Sequence, residues 1–457
     1  MDDPGAVWRE IWYLVYWKTS RPRGVWELSA LSTMIRIPPL RLPVLLTLVS
    51  ASLLFQPASP GNTIRALEPS SEPIHIRVLF ESRPAQEAVV SWTTTAAAEK
   101  HEIYLCTEAR GGVIGDYSRR LPSAHSAPFT LRADEREGGM EAHGHHVFLG
   151  DLEPATRYYL VVVSDGQASK EHFFQTAPAD GSEVALLMVG DSRVGTARTK
   201  PDNYRRLVNA RMRQIFEEHP EIVAMAHGGD YTDRAYWSEL YYWLNDHHEQ
   251  TTTVEGRLLP ILPARGNHDL DVGFEEIFWW PERANNYYNS TQLNSETVLI
   301  TLNTEISRGG DQRAWLEREL ERLRPSMRWV GVQYHRPAWP SVRDFSSGAS
   351  QREAWVPLFE RHQVDFVFES HDHSLKRSHP IYEDEINEEK GILYFGDGGG
   401  GVSQREPQGD RWYLAKVGRH HHVHLLRFGA ERVEVVAIDH KGEKVDEFGL
   451  SQDRRTR

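Results

Sequence analysis

One cysteine, Cys106, is the whole thiol inventory of this 457-residue chain. That excludes an internal disulfide framework and any cysteine-rich zinc site. Positive charge is also short: 52 Lys and Arg stand against 65 Asp and Glu, a formal net charge of −13, and no basic stripe interrupts that balance. Affinity for a phosphate backbone comes from clustered Lys and Arg, so nucleic acid is excluded as a partner. Long apolar runs are scarce, and the first of note, Leu42–Phe55, falls short of the roughly 20 residues of a membrane-spanning helix. What is present is ordinary for a globular chain: 40% hydrophobic, 10% aromatic and 26% charged residues, which excludes disorder and collagen-like repeats over most of the length. At roughly 100–200 residues per domain, the length predicts two or three domains. With thiols excluded, any metal must be held by His, Asp, Glu or Asn, and the chain has 22 His.

Arg36 and Arg41 precede the run Leu42–Phe55, and Gln56-Pro57-Ala58-Ser59 follows it. A basic flank, a short apolar stretch and small residues at the exit describe a secretory signal. Because 33 residues, including the Trp-rich stretch from Val7 to Trp26, precede Met34, Met34 reads as the start. Residues 1–33 are then an extension and residues 34–60 a signal peptide or a membrane anchor. The expected location is secreted or periplasmic, with residues 42–55 the one membrane contact if the segment is retained. A hydrophobic core segment is the competing reading.

From Ile74 the chain alternates, with Ile74, Ile76, Val78 and Phe80 on one face and His75, Arg77 and Leu79 on the other, the period of a strand. Strand-like runs at 88–94, 102–107, 144–149, 158–163 and 172–176, separated by turn-rich segments, predict an all-β sandwich over residues 72–178. After Ala177-Pro178-Ala179-Asp180-Gly181 strand and helix patterns alternate from residue 183 to about 440. Helices are expected at 235–248, 312–323 and 352–362, and strands at 184–189, 222–226, 259–263, 297–302, 329–334, 364–368, 392–395, 423–428 and 433–438. This is an α/β domain with its sheets covered by helices. Residues 441–457 read as a tail.

The informative residues sit where these strands end. Asp191, Asp230, Asn267 with His268, His335, and His371 with His373 each fall just after a predicted strand, the address at which open α/β sheets build their sites. Any one could be an ordinary turn residue. Five successive strand ends carrying metal-competent or proton-transferring side chains are not explained by turn chemistry.

The series Gly190-Asp191, Gly229-Asp230-x-x-Asp233-Arg234, Gly266-Asn267-His268-Asp269, His335 and His371-x-His373 resembles the calcineurin-like metallophosphoesterases in order and spacing. Upstream, Trp92-Thr93, Leu149-x-x-Leu152-x-Pro154-x-Thr156-x-Tyr158-Tyr159 and Phe174-x-Thr176-Ala177-Pro178 resemble the fibronectin-III-like N-terminal domain of purple acid phosphatases. The resemblance implies a domain of two central sheets flanked by helices, holding two metal ions. Asp230 would bridge them, Asp191 and His373 would bind the first, and Asn267, His335 and His371 would complete the second. Imidazole and carboxylate suit Fe, Zn or Mn. His268 would bind the phosphate or protonate the leaving oxygen; Asp233 would orient His268, and Arg234 would contact phosphate.

Two positions depart from the pattern. Purple acid phosphatases carry a tyrosine three residues after the bridging aspartate, where this chain has Asp233, so the resemblance implies a colourless enzyme. Many relatives place histidine two residues after the first aspartate, where this chain has Arg193. Arg193 then either clamps phosphate or weakens the first metal by its charge. Gly396-Asp397-Gly398-Gly399-Gly400-Gly401 resembles the family's glycine-rich segment near the site. The cluster His420-His421-His422-x-His424 reads as a surface patch or as one further site residue. Trp279, Trp280, Tyr287 and Tyr288 could wall a stacking pocket or pack the core. The expected function is an exported phosphoric-ester hydrolase using a metal-bound hydroxide, simplest as an acid-phosphatase-like phosphomonoesterase on a small-molecule phosphoester. The competing readings are a phosphodiesterase on the same site and a non-catalytic surface-binding module with a degenerate metal site.

Overall fold

The computed structural model describes residues 68–137, 139–194, 203–269, 271–281 and 286–451. The signal or anchor segment and residues 1–33 lie outside the described residues. Among those described, no helix is long and apolar enough to cross a membrane.

Two large sheets face each other. The first has ten strands in the order Lys444–Ser451, Arg432–Asp439, His422–Phe428, Val184–Val189, Ile222–His227, Ile261–Pro263, Ile74–Leu79, Ala88–Thr94, His143–Leu149, His125–Pro128. The second has seven, from Asn289–Gln292 through Thr297–Thr301, Trp329–Gln333, Phe366–Glu369, Leu393–Gly396 and Leu375–Ser378 to Leu414–Gly418. Val184, Leu186, Met188 and Leu426 from the first meet Leu299, Trp329, Phe366, Phe368 and Phe395 from the second in one buried core. Helices Tyr204–Glu218 and Trp237–Thr251 cover the outer face of the first sheet, through Val208, Met212, Leu240 and Trp243. Gly310–Leu323 and Val356–Arg361 cover the second, through Leu316, Leu320, Leu358 and Phe359. Helix, sheet, sheet, helix is the expected layering.

The N-terminal strands form the expected sandwich, with Ala88–Thr94 and His143–Leu149 facing a five-stranded sheet built on His101–Cys106 and Arg157–Ser164. That sandwich is not a separate bead. Strand Ile74–Leu79 pairs in parallel with Ile261–Pro263, Leu79 opposite Ile261, so one sheet runs from the sandwich into the α/β region. The same core cluster includes Val78, Val90, Trp92, Leu105 and Leu160.

Three local differences from the sequence reading have physical causes. His75 and Arg77, on the face opposite Ile76 and Val78, are buried despite their polarity, because the strand lies mid-sheet with helix Trp237–Thr251 packed over that face. The helix expected at 352–362 is two, Ala349–Ala354 and Val356–Arg361; Pro357 supplies no N–H to a continuous helix and is tolerated only in the first turn of a new one. Residues Lys444–Ser451 are not tail but an edge strand paired with Arg432–Asp439. Its charged residues hide the alternation that buries Leu450 and packs Phe448 against the core.

Candidate metal centre

Strand ends from both sheets converge on one set of carboxylates and imidazoles. Two groups have ligand atoms close enough to share an ion: Asp230, His335 and His371, and Asp191, Asp230 and His373. Asp230 belongs to both. All five residues are buried, although water-exposed strand ends are the usual place for such groups.

The backbone at these positions is held against its preference. Asp191, Asp230, His371 and His373 have φ of 55°, 60°, 82° and 60°, the left-handed region that non-glycine residues adopt at a cost of about 1–3 kcal/mol each. Backbone hydrogen bonds impose it. Asp191 N–H donates to Gly229 O (2.9 Å) and Ser192 N–H to Asp230 O (3.0 Å), so the first two motif loops are paired. The Asp269 carboxylate accepts from the N–H groups of Asp230 (2.7 Å), Tyr231 (3.0 Å) and Gly266 (2.8 Å), tying the second loop to the third. Burial and the neighbouring Asp230 push Asp269 up to about 7. Beneath them, His227 Nδ1 accepts from Gly229 N–H (3.2 Å), while its Nε2 meets Ser192 Oγ (2.8 Å), which also accepts from Trp243 Nε1 (2.9 Å). The sequence reading assigned neither Asp269 nor His227 a role; adjacency to the motif loops was their only signal.

The histidines are oriented individually. His335 Nδ1 donates to Gly228 O (2.8 Å), which leaves Nε2 to face Asp230 Oδ1 (3.2 Å), Asn267 Oδ1 (3.2 Å) and His371 Nδ1 (3.0 Å). His373 Nε2 lies 3.2 Å from Asp191 Oδ1. Burial opposes a charge on His335, but Asp230 and Asp191 outweigh it and lift His335 to about 10. Burial would raise Asp230; His335 and His268 instead hold it well below the carboxylate range. Asp191 Oδ1 and Asp230 Oδ2 are buried without a hydrogen-bond partner. Unsatisfied buried carboxylate oxygens beside imidazole nitrogens, in a site that draws positive charge toward itself, fit metal ions of the Fe, Zn or Mn class.

Asn267 joins the cluster through His335, and His268 stands beside it. His268 Nδ1 donates to the backbone carbonyl of Asp233 (2.7 Å), and Nε2 lies 4.0 Å from Asp230 Oδ2. The orienting group expected from Asp233 is thus its carbonyl, because its carboxylate accepts from Arg193 Nη1 (2.7 Å). Arg193 Nε is also 3.5 Å from Asp230 Oδ2, and its Nη2 is 3.5 Å from His373 Nε2. Arg234 is exposed; its backbone N–H donates to Glu239 (2.7 Å). Tyr231 is buried and stacks on His227 at 4.0 Å, turned into the core.

The other histidines and aromatics lie elsewhere. His422 and His424 are buried in the first sheet, with His424 against Phe368 and Phe395, so they are neither a surface patch nor ligands. Trp279 stacks on His125 (5.4 Å) and Trp280 meets Phe148 edge-on (5.8 Å), which packs them on the N-terminal strands.

Residues 161–375 match the calcineurin-like phosphoesterase family model and residues 73–176 the purple acid phosphatase N-terminal domain. The chain is a calcineurin-like metallophosphoesterase with a purple-acid-phosphatase-type N-terminal domain. An uncharacterized protein of Mycobacterium tuberculosis is 25% identical over 389 residues, 72% of this chain and 69% of that protein. Purple acid phosphatase 21 of Arabidopsis thaliana is 26% identical over 284 residues, 56% of this chain and 58% of its own. The metallophosphoesterase shares its fold with a purple acid phosphatase from yellow lupin (Lupinus luteus) seeds, with a TM-score of 0.68 at 19% identity, covering 83% of this chain and 74% of that one. With its two carboxylate–histidine clusters, this metallophosphoesterase is a metal-dependent hydrolase of phosphoric esters.

Proposed function

We propose that the chain is an exported phosphomonoesterase, acid-phosphatase-like in architecture, acting on a small-molecule phosphoester. The observation that carries this reading is the carboxylate shared by two ligand clusters, with an oriented imidazole beside it. Asp230 would serve both ions, Asp191 and His373 would serve one, and Asn267, His335 and His371 would serve the other. Two ions held there supply charge neutralisation for the phosphoryl oxygens and a nucleophile from water at near-neutral pH.

The chain's own groups do the rest. His268, with Nδ1–H engaged by Asp233 O, can carry its second proton only on Nε2, the nitrogen on the Asp230 side. A proton there is placed for the leaving oxygen. Arg193, anchored through Asp233 and within 3.5 Å of Asp230 and His373, would present its fork to a phosphoryl group bound there, and Arg234 would add charge at the rim. A guanidinium fork suits phosphate oxygens in a way lysine does not. Residues 183–440 carry this chemistry and residues 72–178 buttress it through the shared sheet. Export rests on the apolar segment 42–55.

The test is elemental analysis of protein expressed from Met34, with p-nitrophenyl phosphate and bis-p-nitrophenyl phosphate turnover on the same sample. About two ions per chain with monoester preference is the expected result. Diester preference would move the function to phosphodiesterase. Absence of bound metal, with no rescue by Mn, Zn or Fe, would overturn the enzyme reading.

A further inference from the structure

The glycine-rich segment brings one more cation to this pocket. Gly400 N–H donates to Gly190 O (2.8 Å), Val402 N–H to Asp191 O (3.1 Å) and Arg405 N–H to His373 O (2.8 Å), so residues 398–405 wrap the loops that carry Asp191 and His373. Gly398, at φ +88°, lies against the Asp191 carboxylate with no room for a Cβ, which explains a glycine there.

The segment ends at Arg405, half-buried, with Nη1 3.5 Å from the carbonyl of His371. Arg343 Nη1 donates to the same carbonyl at 2.7 Å, so the two guanidiniums lie side by side at the ligand loop. Most cations near the pocket are answered by a carboxylate: Arg343 by Asp372 (2.6 Å), Arg193 by Asp233 (2.7 Å) and Arg336 by Glu305 (2.8 Å). Among the described residues, Arg405 has no carboxylate within ion-pair distance. A guanidinium without a carboxylate partner of its own, beside another guanidinium, is stabilised when an anion joins it.

We propose that Arg405, with Arg343 beside it, recognises a second anionic group of the substrate, so the preferred substrates are phosphomonoesters of alcohols bearing a carboxylate or another phosphate. This rests on the phosphoesterase reading above. A local cation can select such a substrate although the chain as a whole is acidic.

The test uses a matched pair, 3-phosphoglycerate and glycerol 3-phosphate, which differ by a carboxylate in place of a hydroxymethyl group. Metal-loaded wild type should show kcat/KM about 10- to 100-fold higher for 3-phosphoglycerate, the range of one hydrogen bond to a charged group. Arg405→Gln should abolish that preference while changing glycerol 3-phosphate turnover less than about threefold. Arg405→Lys, which keeps the charge but loses the fork, should fall between. If the Gln variant does not fold, the wild-type preference must still shrink with added KCl. Calorimetric affinity for both compounds in a His268→Ala background gives a readout without turnover. No preference in wild type, or equal loss on both substrates in Arg405→Gln, overturns the proposal. If neither compound is hydrolysed but binding still favours 3-phosphoglycerate through Arg405, the anion site stands and the phosphoesterase reading falls.

Discussion

The two clusters around Asp230 are built from the same residue types and differ in their neighbours. On the side of Asn267, His335 and His371, the ligand atoms face one another and Asp230, His335 is fixed by a backbone carbonyl at 2.8 Å, and the nearby Arg343 is engaged by the backbone carbonyl of His371 (2.7 Å) and by Asp372 (2.6 Å). On the side of Asp191 and His373, a guanidinium stands 3.5 Å from both Asp230 Oδ2 and His373 Nε2. A positive charge at that distance competes with any cation for the same oxygens. One shared carboxylate therefore joins two unequal sites: the His335 side should hold an ion tightly, and the Asp191 side should hold one weakly. A family's ligand set can be present while a neighbouring non-ligand bears on how firmly it would be occupied.

The largest effect should come from removing one histidine from each side. His335→Ala should lose the tightly held ion, and phosphatase activity should fall to background. His373→Ala should retain about one ion per chain by elemental analysis and keep measurable turnover. Identical losses in the two variants would break the comparison. His268→Ala tests the chemistry common to both sides, with kcat lowered about 10²–10⁴-fold and metal content unchanged. Loss of metal in that variant would make His268 a ligand instead. Arg193→His should tighten the weaker site at least about tenfold, read by calorimetric titration of metal into stripped protein, since a like charge a few ångströms away costs a few kcal/mol even at an effective dielectric of about 20. Unchanged affinity would show that the guanidinium moves aside without cost.

A smaller effect concerns stability away from the site. His75, His145, His146, His172 and His247 are buried, and burial, with neighbouring histidines and nearby Arg77 or, for His172, Lys170, lowers each below its ordinary 6.5, to about 4 for His172, about 3 for His247 and about 2 for His145. The unfolded chain therefore binds more protons than the folded one as pH drops through 6.5, so stability is fully present above that value and is lost progressively below it. The melting temperature of metal-free protein should fall by several degrees between pH 7 and pH 5. A flat profile would mean that these rings are hydrated.

Much of the centre was legible because each ligand follows a strand whose apolar run is itself legible. Asp191 after Val184–Val189 and His335 after Trp329–Gln333 are examples. Arg405 carried no such signal, since no strand precedes it and its place depends on a loop crossing back over His373. His422 and His424 show the reverse: their alternation identified a strand correctly, but which face it buries depends on the sheet packed against it. The role of Asp233 was divided in a way spacing cannot express, its carbonyl going to His268 and its carboxylate to Arg193.

By itself, then, the sequence determined the layered α/β class, the N-terminal sandwich and the order of the metal-competent residues, because periodicity and strand-end position are local properties of the chain. Tertiary structure alone decided that the sandwich and the α/β region share one ten-stranded sheet, that Arg193 sits among the ligands of one ion and not the other, and that Arg405 stands unpaired beside them. Those outcomes depend on which distant segments meet, and on the charge each meeting leaves uncompensated.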